Sequence, residues 1–92
     1  MTDLEKQVAE ALRLSTESGT KLQPTIQRYI QTARAELIRS GVPALVANDD
    51  TNYLVTDAVI CFCQWKMTDG TYCEAYHDCF ISQQENLRKS YR

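Results

Sequence analysis

Leu54-Val55-Thr56-Asp57-Ala58-Val59-Ile60-Cys61-Phe62-Cys63-Gln64-Trp65 is the stretch on which the fold turns. Leu54, Ala58, Cys61, Phe62 and Trp65 fall on one face at helical spacing, and Val55, Val59 and Ile60 widen that face. A helix apolar around most of its circumference is usually the central one of its domain. Asp49, Asp50 or Thr51 is placed to cap this third helix, which should end near Met67. Asp69-Gly70 supplies the turn beyond it.

Working back towards the N-terminus, Gly41 and Pro43 are a helix stop: a left-handed cap followed by a residue that cannot continue the helix. The second helix ahead of them shows Ile26, Tyr29, Ile30, Ala33, Leu37 and Ile38 on one face, with Pro24 in its first turn. Ser15 to Thr20 is polar and reads as a connector. Thr2-Asp3-Leu4-Glu5 is a capping box, in which Thr2 accepts from the Glu5 amide and Glu5 reaches back. Leu4, Val8, Ala11 and Leu12 then form one stripe of a short first helix ending near Arg13. Towards the C-terminus, Tyr72, Cys73, Tyr76, Phe80, Leu87 and Tyr91 recur at helical spacing, predicting a last helix over 72–89. His77, Asp78, Gln83, Gln84 and Glu85 fall where solvent is expected. The expected architecture is all-α: one domain over 1–92, a small bundle of about four helices. It comprises a short N-terminal helix, two long core helices and a long C-terminal helix. Residues 42–50 form the longest irregular stretch, and it carries Leu45 and Val46 with no helical frame.

A chain of 92 residues has a thin core, which association with other chains would reinforce. The formal charge of −2 is interspersed, without the basic face of a free-standing nucleic-acid binder. The first residues lack a cationic stretch followed by an apolar run, so no secretory signal is expected. The longest near-continuous apolar run, Ala58 to Cys63, is too short to cross a bilayer, and no membrane partner is expected. In that setting Cys61, Cys63, Cys73 and Cys79 read as reduced, inert or partly buried thiols.

Chemistry is sparse. Cys73 and His77 stand one helical turn apart, but Cys79 points elsewhere on the same helix, and Cys61 and Cys63 diverge on theirs. That spacing fits no compact zinc motif. The acidic run at 48–52 lacks the glycine and distal glutamate of a calcium loop. There is no phosphate loop, nucleophile elbow or paired-carboxylate arrangement, so neither enzymatic activity nor a cofactor is expected.

The order of pieces carries a resemblance. Ala11-Leu12-Arg13-Leu14 closes a short capped helix. A polar connector follows, then Ile26-x2-Tyr29-Ile30-x2-Ala33-x3-Leu37, stopped by Ser40-Gly41-Val42. Asp57-Ala58-Val59-Ile60-Cys61-Phe62-Cys63 and Trp65 come next, then Gly70 and a last helix with Tyr76 and Leu87. This pattern, over nearly the whole chain, is similar to the small head-tail connector (adaptor, DNA-packaging or head-completion) proteins of tailed bacteriophages. The chain departs from it in its four cysteines and in its aliphatic 42–51 segment.

The resemblance implies a structural virion protein at the head-tail junction, made in the bacterial cytoplasm. Such subunits assemble, about a dozen together, into a closed ring by a repeated heterologous contact. The ring would sit between the portal protein and the stopper or tail-completion protein. It would extend the channel through which genomic DNA passes without sequence-specific binding. Within that frame Leu87, Arg88, Lys89, Tyr91 and Arg92 are candidates for portal docking, combining apolar anchors with guanidinium groups. A solvated, frayed terminus is the alternative. If the segment docks, truncation after Gln84 should leave a folded monomer. Leu45 and Val46 are candidates for the neighbouring subunit or the channel wall, with packing on the chain's own core as the alternative. Two other functional classes stay open: a cytosolic helical adaptor binding a single protein partner, and a small DNA-associated regulator.

Overall fold

Two helix ends set the path of the first half of the chain. α1 (Asp3–Ala11) begins where the Thr2 hydroxyl accepts from the Glu5 N–H at 3.2 Å. It ends where Leu14 N–H donates to Ala9 O and Arg13 N–H to Glu10 O. That closure needs a left-handed residue, and Arg13 takes it at φ 57°. The helix therefore stops two residues short of its predicted end. α3 (Gln23–Ser40) closes with the same pair of bonds, Val42 to Leu37 and Gly41 to Ile38, here on a glycine at φ 115°. Glycine carries no Cβ to oppose that conformation.

In this computed structural model, which describes residues 2–67 and 73–91, the chain is all-helical. α5 (Tyr53–Met67) and α6 (Cys73–Ser90) complete the four principal helices. Two short helices stand where the sequence predicts irregular chain. α2 (Thr16–Lys21) occupies the connector, capped by Ser15 Oγ accepting from the Ser18 N–H. α4 (Ala44–Ala47) is a single turn inside the 42–50 stretch. Neither is long enough to show a helical period, which is why the pattern does not reveal them. The expected Asp69-Gly70 turn and the start of the last helix at Tyr72 lie outside the described residues.

α5 is the core helix. Val55, Ala58, Val59, Phe62 and Cys63 are buried along it, and they join Leu4 and Val8 of α1, Ile26, Ile30, Ala33 and Leu37 of α3, and Phe80 and Leu87 of α6. The buried face is turned from the predicted one: Leu54 is 42% exposed, Cys61 is half-buried, and Thr56 is enclosed. Ile38 on α3 is likewise exposed. Phe62 meets Trp65 and Phe80 edge-on, at ring-centroid distances of 5.6 and 5.1 Å. The cap of α5 is Asn52, whose Oδ1 accepts from the N–H groups of Leu54 and Val55 at 3.1 and 3.4 Å. This corrects the expectation of Asp49, Asp50 or Thr51. Asp49 instead closes its own turn, accepting from the Thr51 N–H and hydroxyl. None of the described helices is long and apolar enough to cross a membrane.

Candidate protein-interaction surface

The 42–51 segment lies between two anchors, Gly41 and Asn52, and the end of α6 touches both. At one side the aliphatic stem of Arg88 runs over Gly41, with Cγ 3.5 Å from where a Cβ would stand. At the other, Asn52 Nδ2 donates to the Tyr91 hydroxyl at 2.8 Å. A third tie comes from below, where Arg34 of α3, mostly buried, pairs with Asp50. The segment is thus held at both ends and at its acidic turn, although it is only one helical turn long at its centre.

Fixing a short segment this firmly orders what it presents. Leu45 is 90% exposed and Tyr53, the first residue of α5, is 83% exposed. Val46 faces inward against the core and Ala47 is buried within it. The two aliphatics paired in the sequence therefore separate: Val46 anchors the segment and Leu45 projects from it. Periodicity could not divide them, because one turn of helix has no repeat to read.

Of the residues assigned to docking at the C-terminal end, Leu87 is fully buried among the core side chains. It holds α6 down from within and does not offer an apolar anchor to a partner; the helical spacing that picked it out reflects the core face of α6. Arg88 is half-exposed and its Nη2 donates to Glu85 at 2.8 Å. Lys89 is exposed, and Tyr91 is 36% exposed. Arg92 lies outside the described residues. Among the described residues, the large side chains exposed or half-exposed on these segments include Leu45, Tyr53, Arg88, Lys89 and Tyr91. Aromatic and guanidinium groups are the types enriched at protein interfaces.

The buried polar chemistry lies elsewhere. Glu5, 5% exposed, accepts from Gln23 Nε2 at 2.9 Å and from Gln27 Nε2 at 3.3 Å. Its desolvation raises the carboxyl pKa, but the hydrogen bonds from Gln23, Gln27 and Thr2 outweigh it and hold the pKa below the ordinary value. Glu5 thus serves the α1–α3 contact besides the N-terminal cap, a role with no local signal because its partners are 18 and 22 residues away. His77 keeps 41% of its side chain exposed, and its ring also lies 4.5 Å from that of Trp65, beside an open groove lined by Glu36, Arg39, Lys66 and Gln84. Lys66 Nζ caps the Trp65 ring at 3.9 Å. Gln84 Nε2 donates to the Glu36 carbonyl at 3.3 Å. No three His, Cys, Asp or Glu side chains among the described residues converge on a metal-sized site, and the Cys73 side chain is not among those described.

Scans against protein-family models, the curated proteins and the solved structures find no match to this chain.

Proposed function

We propose that this chain is a non-catalytic assembly subunit of the head-tail connector type, forming a ring between the portal and the stopper or tail. The observation that carries the reading is the ordered, outward-facing end of the bundle. There Leu45 stands 90% exposed on a segment held by the end of α6, and Tyr53, the first residue of α5 beyond it, stands 83% exposed. A small bundle that orders a short segment to display large apolar side chains is suited to lodging them in another subunit. In the ring, Leu45 and Tyr53 make the repeated side-to-side contact, while Arg88, Lys89 and Tyr91 face the portal. Such an interface is heterologous, and it closes when the rotation per subunit divides the circle. DNA passes the ring without base-specific contacts, in keeping with the interspersed charge of −2.

The test is genetic. The gene is deleted from a phage genome that carries it, and the lysate is examined by electron microscopy. Full-sized heads and free tails that fail to join, with heads losing DNA, are the expected result. Normal infectious particles would overturn the reading. A stable one-to-one complex with a single host protein would do so too, in favour of a cytosolic adaptor.

A further inference from the structure

α5 and α6 hold two cysteines face to face. Cys61 Sγ lies 2.6 Å from Cys79 Sγ, across 18 residues of sequence. Heavy atoms in ordinary packing contact sit roughly 3.5–4 Å apart, and a disulfide bond is about 2.05 Å long. The separation is nearer to bonding than to packing. Both residues are half-buried, so a small oxidant can reach them, whereas Cys63 is fully enclosed. Neither sulfur has to leave its helix for the two to meet. Burial first, then the Cys79 thiol, then the charge of Asp57 push the Cys61 thiol up to about 12. Burial alone does the same to Cys63, also to about 12. A thiol held that high stays protonated and slow to react at neutral pH, so Cys61 is inert at rest. The distinction between Cys61 and Cys63 is therefore geometric: one has a sulfur partner and an opening to solvent, and the other has neither.

We propose that Cys61 and Cys79 form a reversible intramolecular disulfide that staples α5 to α6. The oxidant is a small-molecule disulfide of the glutathione class. One cysteine, as thiolate, attacks a sulfur of the oxidant, forming a mixed disulfide and expelling one small thiolate, which takes up the proton released. The second cysteine loses its proton and attacks the protein sulfur of the mixed disulfide. The Cys61–Cys79 bond forms and the second small thiol leaves. Two protein thiols are oxidised and one disulfide is reduced to two thiols, so electrons and protons balance. A reducing cytosol keeps the pair open and an oxidising medium closes it. The closed loop spans the α5–α6 connection and restricts the unfolded chain. This inference rests on the α5–α6 contact and is separate from the connector reading.

The full chain is equilibrated in glutathione buffers from reduced to oxidised, alkylated, and analysed by intact mass, peptide mapping and thermal unfolding. The expected result is loss of two hydrogen atoms and a linked peptide pair containing Cys61 and Cys79. Tm should rise by on the order of 10 °C, reversibly with dithiothreitol. Cys79→Ser should abolish the link and the rise while its reduced Tm stays near that of the parent, and Cys73→Ser should keep both. Free alkylation of Cys61 and Cys79 in the oxidised buffer would overturn the proposal. So would pairing of either with Cys63 or Cys73.

Discussion

Glu5 is a carboxylate removed from water and answered by two glutamine amides. Its folded pKa lies below the ordinary value of 4.5, so folding favours the ionised form. The stabilisation is complete above that ordinary value and is lost as pH falls through the lower, folded value. Urea midpoints measured from neutral pH to about pH 3 should therefore fall in the parent chain at the acid end. Glu5→Gln should lower the neutral-pH midpoint and flatten this part of the profile; an unchanged profile would remove Glu5 from the α1–α3 contact. Arg13 has the reverse character, a residue bearing a Cβ at a left-handed position that suits glycine. The strain there is about 1–2 kcal/mol, partly offset in an Arg13→Gly chain by the greater freedom of unfolded glycine. Arg13→Gly should raise stability by up to about 1 kcal/mol in denaturant titration. Gly41→Ala should cost about 1–2 kcal/mol, from backbone strain alone, since the added Cβ meets Arg88 at ordinary contact distance.

Among the elements, the start of α5 and the end of α6 depend on one residue. Asn52 caps α5 through its Oδ1 and holds Tyr91 through its Nδ2. Asn52→Ala removes both and should cost about 1–2 kcal/mol, the range of a lost helix cap. Tyr91→Phe removes only the hydroxyl and should cost about 0.5–1 kcal/mol. The double variant should cost less than the sum of the two, because both single changes delete the same hydrogen bond. Strict additivity in a double-mutant cycle would mean that Asn52 and Tyr91 act independently. Hydrogen exchange should show the 42–51 segment less protected in Tyr91→Phe, since that segment is held from the α6 end.

At the scale of the whole molecule, α6 is a core element almost to its last turn. Leu87 is fully enclosed, and Leu87→Ala should cost about 2–5 kcal/mol. Against the roughly 5–15 kcal/mol that holds a small domain, that is a large fraction. Truncation after Gln84, which deletes Leu87 with the polar end, should give an unfolded or strongly destabilised chain, seen by circular dichroism. A folded, cooperative monomer from that truncation would show that Leu87 is dispensable. Leu45 is the opposite case, an apolar side chain whose removal leaves the monomer intact. Leu45→Asp should change monomer stability by less than about 0.5 kcal/mol, the usual range for surface changes. It should block ring formation as seen by electron microscopy on portal-bearing heads.

The pattern along the chain was enough to determine an all-helical molecule, most of the buried stripes of α1 and α3, the Thr2 cap and the Gly41 stop. Each rests on residues within one or two turns of each other, so local spacing carries the information. The short helices α2 and α4 span too few residues to repeat a period, and α5 is apolar so far around that its buried side could not be chosen from spacing. Only packing against α1, α3 and α6 selected Val55 over Leu54. Spacing put Leu87 among the core-facing positions of α6 and also among the docking candidates; enclosure decided between the two. The division of Leu45 from Val46, the Glu5–Gln23–Gln27 contact, the Arg34–Asp50 pair and the meeting of Cys61 with Cys79 were settled by the tertiary structure alone. Each joins residues far apart in the chain or turns on which side of a segment meets the core, and such contacts exist only once the helices are docked.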